Sequence, residues 1–573
     1  MRRSPAPTFI ISLLHGVPNS FFPGSTASPC LTLADAKALV ASASGSDSPA
    51  PLVVQSVFDA PRVEYDPIRR RFHSLAVTTS PARPRAPLLG SAPDRAALHA
   101  QRFLWLAQRM ERNPLFARPA LTGVTTGGEA HAGGAACELA DVRTLLASPS
   151  GAVRVVLGCL AQLEDGRFYL EDPTGNVPLI LSGAVAAAGG YFVEGGAALV
   201  EGVLTRSRAF EARALGQPPL EARALTLAGP WQGLPTLVPP ALAEAAAAGA
   251  LPPPPRLVLL ADCRLDDPAT LPRLGAVFAG YEGAAGAAAA AAAAVGVPPP
   301  PPPAFVLMGD FWGGGGSGWW GGGGGAGGRA PGRGGATAAA AFAALGALAA
   351  RHPTLAAGST FIFIPGPADA AGAGCSLLPG PPLPPSLAAP LTASLGAARC
   401  AFPSNPARLR VGGKEVVIFR SDMAARLRAA ALLPPTDGVG GGGAAGEAAG
   451  AAAPTQAQAA ALAAAADASA FEHAALTLLA QAHLSPLPLD ASPVAWAHDG
   501  GLRLYPLPDA LVLAGGAGPG GRSGGSPLAV CVEGVQCVDP GSLRAGGGGV
   551  FAAYAAGRGG EGEVEVCSLP EDE

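Results

Sequence analysis

The sequence predicts a chain of two fold classes, with a small all-β barrel in the first half and an α/β domain in the second half. Three observations support this prediction. Short strands separated by turn residues crowd the region from 153 to 215. After residue 256, apolar runs alternate with helical patterns, which is typical of a parallel sheet covered by helices. Acidic residues follow three of those runs, at Asp262, Asp310 and Asp369, where the carboxyl edge of such a sheet is expected.

The composition limits the size of the core and the classes of function. The 573 residues include 79 Gly and 60 Pro, concentrated in homopolymeric blocks that lack the side chains for a packed core. We therefore predict low-complexity loop inserts at 283–303, 313–335 and 435–468. The formal net charge of -4 predicts no strong attraction to duplex DNA. The alanine tract after Gly283 lacks the Leu, Ile and Phe content of a membrane span, so no membrane partner is expected.

The cysteines indicate the redox compartment. There are 9, an odd number, and they are scattered along the chain with no C-x-x-C spacing. This pattern argues against a zinc ribbon and against a disulfide framework, and it favours a reducing compartment.

The region before the barrel is divided into two parts. Residues 1–56 are rich in turn formers and are interpreted as a poorly defined N-terminal segment. Residues 57–145 are interpreted as a linker with one amphipathic helix at 94–112 that packs on the core, with Asp94 as its N-cap. The basic run Arg69, Arg70 and Arg71 is interpreted as a surface segment, with a nucleic-acid patch as the alternative, because three arginines are few.

Residues 146–230 have the strand number and spacing of an OB-fold. OB-fold barrels often bind single strands through aromatic side chains beside a basic groove. The alternation of a strand, however, sends about half of its aromatic residues into the barrel core, so single-strand binding stays an open alternative. The candidate nucleic-acid contacts are Arg154, Arg167, Phe168, Arg206 and Arg208.

The strand-end motifs of residues 256–573 resemble, in their order, those of two-metal phosphoesterases with the calcineurin-like fold. The positions that correspond to that metal site are Asp262, Arg264, Asp310, Gly366 and Asp369. Most ligands of the pattern are missing. Arg264 stands where a histidine is expected, the third motif lacks its Asn and His, and a Pro-Gly-Ser turn at 540–542 replaces the last histidines.

Two-metal hydrolysis needs two ions held by a bridging carboxylate and several further ligands. Asp262 and Asp310 are too few for that pair, and Arg264 adds positive charge to the site. We therefore predict a degenerate phosphoesterase domain with no catalytic residues, no metal and no cofactor. The alternative, a metal-dependent phosphodiesterase or exonuclease, depends on these two carboxylates.

An OB-fold barrel followed by a degenerate calcineurin-like domain resembles the B-subunit family of replicative DNA polymerases. The strings LEDGRFYLEDPTGNVPLILSGA, QRFLWLAQRMERNPLF, AFPSNPARLRVGGKEVVIFRSDM and FIFIPGPAD are similar to the second subunit of DNA polymerase epsilon. The resemblance extends from residue 57 to residue 555 outside the inserts. Members of this family usually begin with a small helical domain, for which residues 1–56 are too short and too rich in turn formers.

The resemblance implies a noncatalytic accessory subunit that acts in DNA replication in the nucleus. It implies two partners, the C-terminal zinc-containing region of the polymerase catalytic subunit and the replicative helicase assembly, with DNA reached through the complex. Three aromatic residues near the former metal site are candidate partner contacts, although such residues are more often part of the core: Phe311, Trp312 and Trp496.

Overall fold

The structure is a computed structural model that describes residues 50–75, 90–116, 138–186, 189–312, 333–369, 377–434, 456–515, 527–544, 549–557 and 562–570. These residues form a barrel, a two-sheet domain, and a ribbon and helix that join the two. Among the helices that the structure describes, none combines the length and the apolar content needed to cross a bilayer.

The barrel is a closed ring of five strands. Its hydrogen-bonded order is β5-β6-β7-β10-β9 and back to β5, with a parallel pair between β7 and β10. This ring confirms the predicted OB-fold. Gly202 lies where the strands cross closely, because a Cβ there would approach the Glu211 carbonyl oxygen to 2.3 Å. The strands are β4 (Leu139–Ala140), β5 (Val153–Glu164), β6 (Arg167–Asp172), β7 (Gly175–Ile180), β8 (Val185–Ala186), β9 (Ala197–Leu204) and β10 (Phe210–Gly216), with helix α2 (Val142–Ala147) at one end.

The second domain contains two six-stranded sheets. One sheet has the order β14-β13-β12-β11-β20-β21. The other has the order β1-β15-β16-β17-β19-β18, in which β1 is Leu52–Ser56. Strands β11, β12 and β13 are parallel neighbours, so their carboxyl ends meet at one edge. The bounds are β11 (Leu257–Leu260), β12 (Ala304–Met308), β13 (Thr360–Ile364), β14 (Cys400–Ala401), β15 (Ala407–Val411), β16 (Lys414–Arg420), β17 (Ala510–Ala514), β18 (Leu528–Val532), β19 (Val535–Asp539), β20 (Val550–Ala555) and β21 (Glu563–Ser568).

The two sheets pack face to face between two layers of helices. Leu257 and Leu259 of β11 belong to the cluster between the sheets, whereas the alternate residues Val258 and Leu260 pack against helices. Burial on both faces explains why these strands read as continuous apolar runs. The helices are α3 (Arg223–Ala228), α4 (Pro240–Ala247), α5 (Thr270–Val295), α6 (Arg333–Ala350), α7 (Pro353–Gly358), α8 (Pro385–Leu395), α9 (Met423–Ala429) and α10 (Gln456–Ala480).

The predicted inserts differ from the structure in part. The interpretation of 283–303 as a loop is wrong up to Val295, because the alanine tract continues helix α5 until Gly296 ends it with a φ of 71°. Alanine has the highest intrinsic helix propensity, which overrides the impression of low complexity. Of the other two inserts, 333–335 and 456–468 lie in helices α6 and α10, and the remainder lies outside the described residues.

The N-terminal regions also differ from the prediction. Residues 52–56, placed in the poorly defined segment, form β1 (Leu52–Ser56), which pairs with β15 of the second domain. Residues 1–49 of that segment lie outside the described residues. Helix α1 spans Ala92–Arg112, and Ser91 rather than Asp94 is its N-cap. Asp94 instead accepts hydrogen bonds from the Ser91 backbone and hydroxyl, as in a capping box.

A β-ribbon and helix α1 connect the barrel to the second domain. The ribbon pairs β2 (Arg62–Asp66) with β3 (Arg71–Leu75). Tyr65 and Phe72 of the ribbon pack with Trp105 of α1 and with Trp231 and Tyr505 from later in the chain. This shared aromatic cluster joins segments that are separated by more than 400 residues in sequence, so the domains form one packed body.

Candidate functional site

The carboxyl ends of β11, β12 and β13 bring the predicted strand-end residues together. Asp262 follows β11, Gly309 and Asp310 follow β12, and Gly366 and Asp369 follow β13. Asp262 has a φ of 57°, a left-handed conformation that non-glycine residues adopt rarely and mostly at functional or tightly constrained positions. The sequence-based placement of these acids at one sheet edge therefore agrees with the geometry.

An arginine that sequence reasoning missed occupies the centre of this edge. Arg420, the last residue of β16, comes from the opposite sheet, and only 2% of its surface is exposed. Its Nη2 donates to Asp262 Oδ1, its Nε to the Gly309 carbonyl and its Nη1 to the Ala514 carbonyl at 3.0 Å. The guanidinium thus links the carboxyl ends of both sheets through charge-assisted hydrogen bonds.

The remaining polar atoms of Asp262 and Asp310 are also engaged. Ser542 Oγ donates to Asp262 Oδ2 at 2.6 Å, and the Ala368 backbone N–H donates to Asp310 Oδ1 at 2.7 Å. Asp310 Oδ2 lies 3.8 Å from Arg420 Nη2. Burial raises the pKa of Asp310, and Arg420 opposes that shift. The cluster of Arg420, Asp262 and Asp310 is called the Arg420 cluster below.

Asp369 is part of the backbone framework of the site. It accepts hydrogen bonds from the backbone N–H groups of Phe311 at 2.9 Å, Trp312 at 3.3 Å and Gly366 at 2.9 Å. Burial, followed by the charge of Asp310, raises the pKa of Asp369 to about 7. Gly366 allows the close approach, since a Cβ there would lie 2.2 Å from Asp310 Oδ1. Asp369 therefore shapes the loop and has no free oxygen facing a ligand.

Arg264 is not the residue that pairs with Asp262. The sequence prediction assigned the positive charge of the site to Arg264, but its Nη2 pairs with Asp266 at 3.0 Å in a partly exposed position. Asp266 is only two residues away in the same loop, so Arg264 reaches it more easily than it reaches the strand edge. The correction is that Arg420, and not Arg264, provides the cation beside Asp262.

The residues present do not fit the two metal ions of a phosphoesterase. Among the residues that the structure describes, no group of three or more His, Cys, Asp or Glu side chains is arranged to hold a metal ion. The oxygens that face the centre already hold a guanidinium, and a second positive charge there would be repelled.

A second buried ionic cluster lies where helix α1 meets the second domain. Asp499 Oδ1 accepts from Arg102 Nη2 at 2.6 Å and pairs with His483 Nε2 at 3.0 Å, while Oδ2 accepts from Arg503 at 3.0 Å. The Arg503 guanidinium also lies over the Trp105 ring, 4.3 Å from its centroid. This set is called the Asp499 cluster. Sequence reasoning did not find it, because Arg102 and Asp499 lie 397 positions apart.

The candidate nucleic-acid contacts are spread over the barrel. Arg206 and Arg208 are exposed in the turn between β9 and β10, and Arg167 is exposed but pairs with Glu164 at 3.0 Å. Arg154 is half-buried and donates to the Val153 carbonyl at 3.1 Å. Phe168 is half-buried and packs against the barrel core, so it is not a free stacking surface. The structure brings Arg206 and Arg208 together in one turn.

The three aromatic candidates for partner contact are mostly used inside the fold. Phe311 is fully buried in the cluster between one sheet and its helices, which excludes it as an exposed contact. Trp312 is partly buried against the same cluster. Trp496 packs against the other helix layer, with Arg95 positioned 5.5 Å from its ring centroid.

A cavity of about 660 Å³ lies away from the strand edge. Helices α3 and α4, the prolines at 252–254 and the turn between β15 and β16 line it. Three of its charged lining residues are in ion pairs, since Arg223 contacts Glu415 at 2.8 Å and Lys414 contacts Asp509 at 3.3 Å.

Comparison with known proteins identifies the family. Residues 92–219 match the family model of the OB-fold domain described as DNA polymerase epsilon subunit 2-like, and residues 257–517 match that of the DNA polymerase alpha/epsilon B-subunit. The chain is 30% identical to DNA polymerase epsilon subunit 2 of Mus musculus over 502 residues, which cover 86% of this chain and 79% of the relative. The chain belongs to the DNA polymerase epsilon B-subunit family.

Other relatives give the same assignment. The DNA polymerase epsilon B-subunit of Arabidopsis thaliana is 28% identical over 523 residues, covering 90% of this chain and 83% of the relative. DNA polymerase epsilon subunit 2 of Homo sapiens is 29% identical, covering 86% and 79%. As a member of the DNA polymerase epsilon B-subunit family, the chain is an accessory subunit of that polymerase. The family model of the barrel begins at residue 92, so it includes helix α1, which the sequence prediction places in a linker.

Proposed function

We propose that this chain is a noncatalytic scaffold of DNA polymerase epsilon that acts in nuclear DNA replication. Its second domain is a degenerate calcineurin-like phosphoesterase, and it binds the C-terminal region of the catalytic subunit and connects it to the replicative helicase assembly. The observation that carries the proposal is Arg420. Its guanidinium holds the oxygens of the strand edge in the way that a metal ion would in an enzyme, and it leaves a rigid fold without a reactive centre.

The pairing of the Arg420 cluster supports loss of catalysis on physical grounds. A hydrolase of this class lowers the pKa of a metal-bound water and neutralises the phosphate with the same ions. Asp262 has both of its carboxylate oxygens engaged, one by Arg420 and one by Ser542. The paired cluster stabilises the junction of the two sheets, and the Asp262 carboxylate in it offers no open coordination position.

The main test is a binding experiment. The purified full-length chain is mixed with the C-terminal region of the polymerase epsilon catalytic subunit, and complex formation is measured by size-exclusion chromatography and calorimetry. We expect a stable 1:1 complex. Failure of the two chains to bind each other at micromolar concentration would rule out the scaffold proposal.

A second experiment tests the alternative that the chain is a phosphodiesterase or exonuclease. Cleavage of a labelled oligonucleotide is measured with Mn²⁺ for the wild-type chain and for Asp310→Asn. We expect no cleavage above the buffer control for either protein. Mn²⁺-dependent cleavage that Asp310→Asn abolishes would support the enzyme instead.

Single-strand binding by the barrel remains the third alternative. The exposed turn that carries Arg206 and Arg208 favours it, whereas the partial burial of Phe168 weakens it. Fluorescence anisotropy with a labelled oligonucleotide at low salt shows whether the barrel binds single-stranded nucleic acid. Salt-sensitive binding that falls on Arg208→Ala would support a nucleic-acid contact.

A further inference from the structure

The cavity beside helices α3 and α4 is a largely apolar groove with a carboxylate at its edge. Its volume is about 660 Å³, and most of its lining consists of alanine, leucine, valine and proline side chains. Glu244 of α4 also belongs to the lining, and it has no ion-pair partner among the residues that the structure describes. An apolar groove with a few polar groups is the usual form of a binding site. We call this cavity the α4 groove.

Ion pairs fix the walls of the α4 groove. Arg223 of α3 contacts Glu415 at 2.8 Å and donates to the Leu507 carbonyl at 2.6 Å, which ties that helix to the second domain. Asp509 Oδ2 accepts from the Glu415 backbone N–H at 2.8 Å on the same side. The groove is therefore formed before anything occupies it, and binding there costs little ordering entropy.

The chain enters the second domain at the wall of the α4 groove. Strand β1 is antiparallel to β15, and its Leu52 lies opposite Val411. The carbonyl of Pro51 accepts a hydrogen bond from the Gly412 backbone N–H at 2.8 Å. Val411 and Gly412 both line the groove. Because the two strands are antiparallel, the residues that precede Pro51 continue past the end of β15 and leave the sheet beside the groove.

The sequence that precedes this entry point has the pattern of a short amphipathic helix. Residues 31–42 are LTLADAKALVAS, in which Leu33, Ala36 and Val40 recur at spacings of three and four. Lys37 borders this apolar stripe, because it lies four residues after Leu33. Residues 43–49 are ASGSDSP, the composition of a flexible linker, with an end-to-end distance of about 15 Å.

The segment and the α4 groove match in shape, charge and position. A helix that lies in an apolar groove uses anchors at positions i, i+3 and i+7, which is the spacing of Leu33, Ala36 and Val40. Lys37 offers the positive charge that Glu244 lacks. The short linker holds the segment near the groove at an effective concentration of about a millimolar, so even a weak contact is populated.

We propose that residues 31–42 occupy the α4 groove as a helix. Leu33, Ala36 and Val40 face the apolar lining, and Lys37 pairs with Glu244. The contact is internal to this chain and needs no partner, so it goes beyond the proposed scaffold function. It attaches the beginning of the chain to the second domain, on the far side of β1.

Hydrogen exchange of the full-length chain, followed by mass spectrometry, tests the contact. Ala247→Glu places a charge in the apolar lining, and we expect residues 31–42 to exchange about tenfold faster than in wild type. Val40→Ser removes an anchor from the segment and should have a similar effect, also about tenfold. The matched controls are Ala241→Glu, at an exposed position of α4 outside the lining, and Ala38→Ser, on the other face of the segment. Both should exchange like wild type.

A zero-length carbodiimide cross-link tests the position of the segment. The chain contains two lysines, Lys37 and Lys414, so the products are few and can be assigned by mass spectrometry. We expect Lys37 to be joined to Glu244 within one chain. The yield should fall about tenfold in Val40→Ser and stay at the wild-type level in Ala38→Ser.

Three results would overturn the inference, each in a distinct way. If residues 31–42 exchange as fast in wild type as in Ala247→Glu, and no product joins Lys37 to Glu244, this segment does not occupy the groove. If they are protected but Ala247→Glu has no effect, they pack on another surface. If the protection falls on dilution and the cross-link joins two chains, the groove receives the segment of a second copy. None of these results depends on binding to the catalytic subunit, so the scaffold proposal is tested separately.

Discussion

The Arg420 cluster and the Asp499 cluster are both buried, but their charges are arranged in opposite ways. In the first, one guanidinium lies between carboxylates and backbone carbonyls contributed by two sheets. In the second, one carboxylate lies between two guanidinium groups and an imidazole, and it joins helix α1 to the second domain. The first cluster holds a domain together from inside, and the second attaches one region to another.

The difference predicts different consequences of breaking each cluster. A buried ion pair that loses one partner leaves an uncompensated charge, which costs about 3 to 5 kcal/mol. At the strand edge this loss should weaken the whole two-sheet domain. At the Asp499 cluster it should first loosen the attachment of helix α1, because Arg102 of that helix pairs with Asp499.

The largest expected effect is that of Arg420→Met. Asp262 then loses its ion pair while it stays buried, and we expect the free energy of unfolding to fall by about 4 kcal/mol. Urea unfolding, monitored by circular dichroism, measures this loss in the free energy of unfolding. Combining Arg420→Met with Asp262→Asn should recover about half of the loss, since the orphaned charge is removed. Additive losses in the double variant would contradict the proposed pairing.

The second effect is that of Asp499→Asn. The neutral amide leaves Arg102 and Arg503 without their shared carboxylate, and we expect a loss of about 3 kcal/mol. Hydrogen exchange should increase first in helix α1 and in the β2–β3 ribbon. Glu164→Gln, which breaks an exposed pair on the barrel, serves as the control and should change stability by less than about 0.5 kcal/mol. Uniform exchange throughout the domain would refute the attachment role.

The third effect is a loss of stability at acid pH through His483. Burial, with a contribution from Arg102, lowers the pKa of His483 to about 4, below its ordinary value of 6.5. The unfolded chain therefore binds more protons than the folded chain between these values, and stability falls as the pH decreases through this window. For this histidine alone, we expect a loss of about 2 kcal/mol between pH 7 and pH 5.

Burial sets the direction of this pKa shift, and the hydrogen bond to Asp499 opposes it. The Nδ1 of His483 accepts from the Ser485 backbone N–H at 3.0 Å, and its Nε2 faces Asp499, so protonation would break the first bond. Arg102 and Arg503 also face the ring through Asp499 and oppose a further positive charge. His483→Gln should flatten the dependence of the melting temperature on pH. An unchanged slope would exclude His483 as its source.

How much of this structure can be predicted from the sequence depends on how far apart the interacting residues lie along the chain. Strands β11, β12 and β13 were predictable because burial on both faces produces apolar runs that are visible locally. Asp262 and Asp310 were predictable because each follows such a run directly. Arg420 was not, since it lies 158 residues from Asp262 and its partner depends on how two sheets pack. A signal exists in retrospect, because an arginine directly continues the apolar run of β16.

Local sequence was also a poor guide where composition suggested disorder. The alanine tract of helix α5 lacks large apolar residues, and its repetitive composition conceals a strong helix propensity. Residues 52–56 were assigned to no domain, since five residues carry little periodicity, yet they complete a sheet through pairing with β15. In both cases, the decisive contribution is backbone hydrogen bonding, which side-chain patterns report only indirectly.

The smallest expected effect is the binding of a metal ion when Arg420 is removed. It tests whether the guanidinium of Arg420 occupies the place of a metal cation. Its donors contact oxygens of Asp262, Gly309 and Ala514, which are the ligand types that Mg²⁺ and Mn²⁺ prefer. Arg420→Ser removes the guanidinium and leaves these oxygens around a cavity. Mn²⁺ at about ten times its dissociation constant should then stabilise the variant by about 1.4 kcal/mol, seen as a rise in melting temperature.

The wild-type chain is the control for this experiment, and its melting temperature should not respond to Mn²⁺, because the guanidinium excludes a second cation from the same oxygens. Asp262→Asn added to Arg420→Ser should abolish the response, since an amide oxygen binds a divalent ion less strongly than a carboxylate. An equal Mn²⁺ response in wild type and variant would place the ion elsewhere. If Mn²⁺ does not raise the melting temperature of Arg420→Ser, the oxygens of Asp262, Gly309 and Ala514 move together when the arginine is lost. In that case Arg420 separates the carboxylates as well as neutralising them.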